Sequence, residues 1–567
     1  MDELTNRSVG DGKPRGGGAA GQADGAAVPA FAWTRRHTVA LLVLCLAALL
    51  DSIDVTVVNV AMPAIKENLR FSESGLAWMV DAYMVPFGGF LLLGGRTGDL
   101  VGRRRVLIGG TLVFTVASLG SALAPSAGVM VATRAAEGLA AAFVVPMTFA
   151  MLGSVFPAGP ARNRAFGIWG GVTAGAATLG LVLGGVLVSA AGWRWIFLVN
   201  LPVGAVVVVA ALRVLPADRP RTSSRESGRV EPRSGEAVGG EPRSGEAVGG
   251  EPRSGETVGG EPRGGESRRG APRRGKRHRQ GLRGFDLGGA VSVTASATLL
   301  AYAVAQAGGS GWGSARTVLL LCGSAALAGY FVLHEARIAA DPLLPLSLLR
   351  NRALAAANLV SALLSSAMFA VFYATTLYMQ QVLHYSALRT GLAYVPFGLS
   401  ILVAASVAPA LVALAGVRAA SVAGSLVCAA GLVLLERVSP GGQLLGAVIV
   451  PTVVVGLGAG VVIVPTSVAA MSGVAAARHG VASALLNVSR QLGGALGLAV
   501  IAAVAAAATA RSAAAGTPAA GALTAGFHAG FAVSAGLVVA GLVAAAALLR
   551  EDGRGERVNM IELTAGQ

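Results

Sequence analysis

The chain has little charge for its size. Asp, Glu, Lys and Arg make up 13% of its 567 residues, against 54% hydrophobic residues and a mean hydropathy of +0.66. Soluble domains carry about 25% charged residues, so this shortage argues against an ordinary soluble protein. The formal net charge of +16 does not indicate nucleic-acid binding, because the basic residues lie in segments between apolar runs.

Cysteine and metal-ligand clusters are also scarce. The three cysteines, Cys45, Cys322 and Cys428, fall in separate apolar runs without disulfide or metal-ligand spacing. The six histidines are scattered. A nucleotide-binding P-loop is absent, since its nearest match, at 270–276, is followed by Arg277 instead of Ser or Thr. We therefore expect no metal, no cofactor and no enzymatic centre.

Long apolar runs are abundant. A helix needs about 20 apolar residues to cross a hydrocarbon core of about 30 Å, and fourteen runs approach or exceed that length. They predict an all-α integral membrane protein with fourteen transmembrane helices. The runs fall near residues 38–62, 76–95, 106–124, 128–153, 165–190, 195–215, 286–307, 317–334, 353–380, 390–414, 419–436, 443–470, 480–509 and 523–549.

The arginines predict the orientation. With the N-terminus in the cytoplasm, cytoplasmic segments hold 35 of the 45 basic residues and external loops hold seven. The positive-inside rule therefore places both termini in the cytoplasm. The first run is too long for a signal-peptide core and is expected to remain as an anchor.

The order of the runs predicts two six-helix bundles with an additional helix pair between them. The linker before that pair carries a ten-residue repeat, EPRSGEAVGG, and is expected to be disordered. Its basic end, 268–283, is either a solvated spacer or a contact for anionic lipid headgroups. The predicted parts are a disordered tail (1–36), the first bundle (37–216), the linker (217–284), the helix pair (285–336), the second bundle (337–550) and a cytoplasmic tail (551–567).

The loop after the second run reads GRTGDLVGRRR. Its glycines permit a tight turn and close helix approach, and its acid can pair with the neighbouring arginines. The loop is either a latch between helices on the cytoplasmic side or a plain basic hairpin. The residues of this predicted gate motif are Gly95, Asp99, Gly102, Arg103, Arg104 and Arg105.

This loop resembles the signature of the major facilitator superfamily, and further stretches resemble its fourteen-helix drug:proton antiporters. These include LDSIDVTVVNVAMP at 50–63, RAAEG at 134–138 and GWRWIFLVNLPVG at 192–204. The resemblance implies two bundles that rock about a central cavity. The chain departs from the family patterns at Leu100, where a basic residue is common, at Glu137, where Gln is usual, and at Leu181, where Pro is usual.

Glycines recur along the fifth run and predict close helix packing. By resemblance, this stretch is the antiporter motif, which seals the protein against leaks. Its residues are Gly175, Gly180, Gly184 and Gly185.

Charges inside apolar runs are costly and therefore suggest function. At about 1.5 Å per residue, Asp54 and Arg134 fall at similar depths in the outer half of the first bundle. Asp51 and Glu137 fall one turn deeper. This set suits proton coupling, with Asp54 as carrier and Arg134 tuning it; the alternative is a structural buried ion pair. Asp81, near the outer surface, is expected to join the cluster, and it either attracts cationic substrates or is a solvated carboxylate near the helix end.

Other polar and aromatic residues are candidates for substrate contact. Arg490 stands alone at mid-depth and either holds an anionic or carbonyl-rich substrate or binds helix carbonyls. The remaining candidates are Trp78, Tyr83, Trp169, Tyr373, Tyr378 and Asn487.

These features predict a secondary transporter in the cell membrane that exports hydrophobic drugs, including cationic ones, in exchange for protons. A second interpretation keeps the fold and changes the cargo to an endogenous metabolite, lipid or siderophore. A third, from another class, is a membrane enzyme or sensor. The expected partners are a small hydrophobic substrate, protons and membrane lipid, without nucleic acid, and we expect a monomer.

Overall fold

The computed structural model describes residues 33–157, 159–217, 286–339, 342–344, 346–474 and 478–549. All regular secondary structure within these residues is helical. The linker beyond residue 217, the tail 551–567 and residues 1–32 of the N-terminal tail lie outside the described residues, so their predicted disorder is not addressed.

Thirteen long helices follow one another along the described residues, joined by short segments except between α6 and α7, which 72 residues separate. Short helices precede α2 (Glu73–Leu76), α6 (Trp195–Leu198) and α10 (Ala387–Ala393), and a 3₁₀ helix precedes α9 (Leu346–Arg350). π-turns extend α8 (His334–Ile338) and α9 (Tyr378–Val382) and precede α11 (Leu445–Ile449). The long helices are α1 (Arg35–Leu69), α2 (Trp78–Val101), α3 (Arg103–Ala122), α4 (Ala127–Val155), α5 (Pro160–Ala191), α6 (Asn200–Val214), α7 (Leu287–Ser310), α8 (Ala315–Leu333), α9 (Arg352–Leu377), α10 (Val395–Leu435), α11 (Val450–Met471), α12 (His479–Ala514) and α13 (Ala519–Leu548).

Helix α10 is two membrane spans. Its Gly416 has φ 86° and ψ 166°, which interrupts the helix. Gly456 and Gly460 of α11 pack against 397–400 and 401–405, so the first arm runs parallel to α11. Gly458 of α11 packs against 424–428, and Gly431 of the second arm packs against the earlier residues 451–455, so the second arm runs antiparallel to α11. The chain therefore reverses at Gly416.

The predicted fourteen-helix membrane architecture is confirmed. Thirteen described helical segments are long and apolar enough to span a membrane, and the segment Ala387–Leu435 counts twice. The prediction was wrong at the end of α1, which continues past Met62 to Leu69 and ends where Arg70 adopts φ 57°. α1 is about 52 Å long at 1.5 Å per residue, so it extends beyond the hydrocarbon core.

The helix pair α7–α8 lies at the seam between the two bundles. Gly89 of α2 packs against Thr294 of α7, and Ala301 and Val304 of α7 join a buried cluster with Ala499 of α12. α8 packs mainly on α7. Helix α7 therefore touches both bundles, while α8 faces outward.

Both described hydrogen bonds between the bundles lie toward one face of the membrane. We call the face where α1 begins the tail face and the opposite one the distal face. Gln380 donates to the carbonyl of Val60 at 2.9 Å, and the amide of Leu388 donates to Ser189 Oγ at 3.1 Å. These residues belong to the distal halves of α1 and α5, so the bundles are closed together at the distal face.

Candidate functional site

A buried ion-pair cluster lies in the first bundle. One terminal nitrogen of Arg134 pairs with Asp54 of α1 and with Glu137 one turn along α4. The guanidinium also donates from Nε to the carbonyl of Met79 at 3.1 Å. Arg134 is 1% exposed, and both acids are fully buried. Arg134 lies seven residues from the start of α4, about 10 Å from the distal face.

Neutral side chains donate further hydrogen bonds to the carboxylates of the cluster. Asn200 of α6 donates to Asp54 at 2.8 Å and to Ser118 at 3.1 Å. Ser121 of α3 donates to Glu137 at 2.9 Å. Helices α1, α3, α4 and α6 thus all contribute, as the cost of burying polar groups in hydrocarbon requires.

Asp51 and Tyr83 extend the cluster by one turn of α1. The Tyr83 hydroxyl donates to Asp51 at 2.5 Å. The guanidinium carbon of Arg134 lies 4.6 Å from the centre of the Tyr83 ring and 5.9 Å from that of Phe197. The ring contacts Arg134 while its hydroxyl contacts Asp51, so Tyr83 connects the two parts of the cluster.

Glycines bring the backbones that carry the cluster into contact. A Cβ at Gly138 would collide with the carbonyl of Tyr83, so α2 and α4 approach closely beside Arg134. A Cβ at Gly184 of α5 would lie 2.9 Å from the Val57 side chain, and one at Gly180 would collide with Thr56. The antiporter-motif glycines therefore pack on the turn of α1 that follows Asp54.

The other motif glycines differ from these two. Gly185 packs against the second bundle, with its Cβ position 2.7 Å from the carbonyl of Ala387. A Cβ at Gly175 would have no heavy atom of the described residues within 4 Å outside its own helix backbone and chain neighbours. Different glycines of the motif therefore pack against α1 and against the second bundle.

The cluster can exchange protons. It holds three carboxyl groups and one guanidinium, so full ionisation would bury a net charge of −2. A buried uncompensated charge costs several kcal/mol, whereas a protonated carboxyl still forms hydrogen bonds. The net charge of this buried site therefore depends on how many of its carboxyl groups are protonated.

The gate motif lies at the tail face, where α2 passes into α3. Gly102 links the helices at φ 115°. Arg103 donates to the carbonyl of Ala150 at 3.2 Å, and Arg104 donates to that of Leu212. Both arginines thus bind helix ends within the first bundle. Arg105 is exposed on the first turn of α3 and Gly95 is half-buried on α2; the Asp99 side chain lies outside the described residues.

Asp81 does not join the cluster as predicted. It is 1% exposed, and its Oδ1 has no hydrogen-bond partner among the described residues. No described ion pair or hydrogen bond connects it to Arg134. The prediction of one cluster with four acids is therefore wrong: three acids surround Arg134, and Asp81 is separate.

The structure disperses the remaining substrate candidates. Trp78 faces Tyr302 of α7, at 6.0 Å between ring centres. Tyr378 donates to the carbonyl of Ser439 at 2.7 Å. Arg490 donates to Ser467 at 3.3 Å and forms no ion pair among the described residues. Asn487 is exposed and donates to Ser483 one turn earlier, Tyr373 is buried, and Trp169 lies 5.7 Å from Phe149.

A cavity of about 420 Å³ opens between α1 and α5 near the tail face. Its walls are mostly apolar, with Arg164 and Trp33 at one end in cation–π contact at 5.5 Å. Its size falls in the range of small-molecule sites. The lining residues are Trp33, Thr38, Leu41, Leu42, Cys45, Arg164, Ile168 and Val172.

Sequence reasoning missed Asn200, Ser118 and Ser121. Asn200 had a usable signal, since it is a lone amide in a long apolar run. The serines had none, because small hydroxyl residues occur throughout these helices.

Comparisons with known proteins agree with the fold. Residues 44–498 match the model of the Major Facilitator Superfamily. The cephamycin export protein CmcT of Amycolatopsis lactamdurans is 34% identical over 472 residues, which cover 83% of this chain and 85% of that protein. The puromycin resistance protein pur8 of Streptomyces alboniger is 33% identical over 468 residues, covering 82% and 81%.

Solved structures give the same fold at low identity. The inward-open xylose transporter XylE from E. coli aligns over 92% of this chain and 98% of its own, with a TM-score of 0.54 and 13% identity. A bacterial homologue of the lysosomal transporter Spinster, in an inward-facing occupied conformation, covers 91% and 96% with a TM-score of 0.56 and 14% identity. The chain therefore belongs to the Major Facilitator Superfamily and is a multi-pass membrane transporter, not an enzyme.

Proposed function

We propose that this chain exports hydrophobic small molecules, antibiotics among them, across the cytoplasmic membrane in exchange for protons. The observation that carries the proposal is the burial of three carboxyl groups around Arg134. Two relatives named for cephamycin export and puromycin resistance support drugs as the cargo. The apolar cavity between α1 and α5 supports a hydrophobic substrate.

The coupling step is a partner exchange at Arg134. With Asp54 ionised, Arg134 and Asn200 both bind its oxygens. When α1 moves relative to α4 during alternating access, Asp54 loses the guanidinium and takes up a proton from the distal side. Return to the closed arrangement restores the ion pair and releases the proton toward the tail face. Asp51 and Glu137 either carry further protons or set the affinity of Asp54 for its proton.

The proposed direction of transport, export, is paired with an orientation that the distribution of arginines supports. The positive-inside pattern supports a cytoplasmic tail face, and the structure is closed at the distal face. Substrate then enters from the cytoplasm or the inner leaflet and leaves at the distal face. Inward movement of one charge releases about 2.3 kcal/mol per 100 mV, which supports about a 40-fold gradient of a neutral substrate.

Proton flux in liposomes tests the proposal. Purified protein is reconstituted with an internal pH dye, and hydrophobic cations, puromycin and a cephamycin are added under an imposed proton gradient. We expect substrate-triggered proton flux that Asp54→Asn abolishes. Glu436→Gln, at the distal end of α10 and outside the cluster, is the matched control and should retain the flux.

Three other outcomes have definite meanings. Flux that persists in Asp54→Asn would move the coupling site to Asp51, Glu137 or Asp81. Flux with lipids or metabolites but not with drugs would replace the proposed cargo. Substrate uptake without proton flux would overturn proton coupling.

A further inference from the structure

A second buried acid pair lies far from Arg134, at the tail-face ends of α7 and α8. Asp286 caps the first turn of α7, where its Oδ1 accepts the Gly289 amide at 2.8 Å. Glu335 lies in the π-turn after α8. Asp286 is 7% exposed and Glu335 is 5% exposed.

One oxygen of each acid lacks a donor. Asp286 Oδ2 and Glu335 Oε1 have no hydrogen-bond partner among the described residues. Both lie 2.8 Å from the position that a Cβ on Gly289 would occupy. The two acceptors are therefore at most 5.6 Å apart, beside the space that the glycine leaves. Buried polar atoms are almost always hydrogen-bonded, so this arrangement requires a hydrogen-bond donor or a cation at the two oxygens.

A proton satisfies this requirement better than a metal ion. The described residues contain no group of three metal-ligating side chains, and His334 already uses its Nε2 on Asp286 Oδ1, at 2.6 Å. One proton converts two neighbouring acceptors into a donor and an acceptor. Charge-assisted O–H···O⁻ bonds of this kind are short and strong.

The pair also holds a strap that leads toward the second bundle. Glu335 Oε2 accepts the amide of Leu344 at 3.2 Å. Beside it, Leu343 is buried with Ala290 of α7 and Leu93 of α2. Residues 342–344, here called the strap, therefore connect the helix pair to the tail-face end of α2, close to the gate motif.

We propose that Asp286 and Glu335 bind one proton between these two oxygens and that this proton holds the strap against α7 and α2. Loss of the proton leaves two adjacent buried carboxylates, whose repulsion moves Glu335 and with it Leu344. The strap then detaches from α2. The site is separate from the Arg134 cluster and does not depend on the proposed drug–proton exchange.

Among the described residues, few groups face the pair. α8 contributes His334 and, behind it, Tyr330, whose hydroxyl lies 3.5 Å from His334 Nδ1. α2 and α4 contribute apolar side chains. The nearest cations on the packed elements are Arg96, three residues beyond Leu93 on α2, and the exposed Arg337 on the π-turn.

Thiol labelling of the strap tests the proposal. Leu343→Cys is placed in a background with Cys45, Cys322 and Cys428 replaced by alanine, in the full chain in detergent. Its labelling rate, divided by the rate in denatured protein at the same pH, is followed between about pH 5 and pH 9. We expect a rise of about tenfold with pH, equivalent to about 1.4 kcal/mol.

Two variants and a control separate the causes. Glu335→Gln donates an amide hydrogen to Asp286 at every pH and should give slow labelling throughout. Gly289→Ala places a methyl group between the oxygens and should give fast labelling throughout. Glu436→Gln should follow the parent protein. A Glu335→Gln variant whose labelling rises like the parent's would overturn the proposal.

Two further readouts bear on the ion. Infrared spectra should show the C=O band of a protonated carboxyl in the parent that Glu335→Gln lacks, and its absence from the parent would contradict a shared proton. At constant ionic strength, replacing Na⁺ or K⁺ with a large organic cation should leave the labelling midpoint unchanged. A shift of that midpoint would assign the site to a metal cation instead.

Discussion

Glu137 supplies one of the three acids that share Arg134, at a position where the resembling antiporters usually carry glutamine. A glutamine at this position can turn its oxygen toward Arg134 and donate its amide hydrogen to the Ser121 hydroxyl, which has Thr133 as another acceptor, and Arg134 stays paired with Asp54. We therefore predict that Glu137→Gln changes the free energy of unfolding by less than about 1.5 kcal/mol. It should stay coupled but move fewer protons per substrate, as measured from the proton gradient that just balances a substrate gradient.

The comparison with Asp54→Asn decides between the two acids. If Glu137→Gln abolished coupling while Asp54→Asn kept it, Glu137 would be the carrier and Asp54 its modifier. Equal losses in both variants would indicate that the ion-pair geometry, rather than one carboxyl, controls proton exchange.

Tyr83 contributes a ring and a hydroxyl, and Tyr83→Phe removes only the hydroxyl. The lost hydrogen bond to Asp51 should cost about 1.5–3 kcal/mol in thermal unfolding, since it involves an ionisable group. Because the variant changes the surroundings of Asp51, the pH dependence of transport should shift as well. Thermal melting in detergent and flux at several pH values measure the two effects.

Tyr394→Phe is the matched control for this prediction. Its hydroxyl contacts Thr375 and Thr376, at 2.5 and 2.8 Å, in the second bundle and touches no ionisable group. It should lower stability by about 0.5–1.5 kcal/mol and leave the pH profile unchanged. A pH shift of equal size in both variants would mean that the Tyr83 hydroxyl has only a structural role.

At the scale of single residues, the sequence identifies the charged side chains of the cluster more readily than the neutral side chains that hydrogen-bond to them. A carboxyl or guanidinium inside an apolar run is conspicuous, so Asp54, Arg134 and Glu137 were identified as neighbours from helix depth alone. Ser118 and Ser121 were not, because a serine fits any helix surface and its partner depends on how helices distant in sequence pack. Asp81 was misplaced because depth specifies a layer but not the face of the helix.

At the scale of helices, α5 owes its contact with α1 to two glycines. Overpacking a tight contact costs about 1–3 kcal/mol. We predict that Gly180→Val lowers stability by that amount and reduces coupled flux, because the new side chain displaces Thr56, two residues from Asp54. Gly175→Val, on the same helix with open space around it, should leave both nearly unchanged. Similar losses in the two variants would show that α5 tolerates no β-branched residue, whatever its contact with α1.

Helix number was predictable because the hydrocarbon core fixes the length of an apolar span. The features that differ from the prediction, or that it left open, do not depend on the thickness of the hydrocarbon core. α1 continues through polar residues, including Lys66, after the apolar run ends. The position of α7 at the seam was not predictable, because an apolar run records that a helix is buried in lipid or protein and not which helices it touches.

At the scale of the whole molecule, the two bundles pack together at mid-membrane through α2 and α12 and are joined by hydrogen bonds at the distal face. Ser189 of α5 meets Leu388 of the second bundle, and Gly185 meets Ala387 beside it. Export by alternating access requires these contacts to separate in each cycle. The same surfaces must therefore be closed in this state and open in the state that releases substrate.

A disulfide between Ser189→Cys and Leu388→Cys, in a chain whose own cysteines are replaced, should trap the distal-closed state. We predict that oxidation stops transport while leaving substrate binding at the tail face intact, and that reduction restores transport. Each single-cysteine variant should transport normally under both conditions. Because the two residues lie on different bundles, transport that continued after complete cross-linking would exclude rocking at this face, and the proton cycle at Arg134 would then have to operate without separation of the bundles.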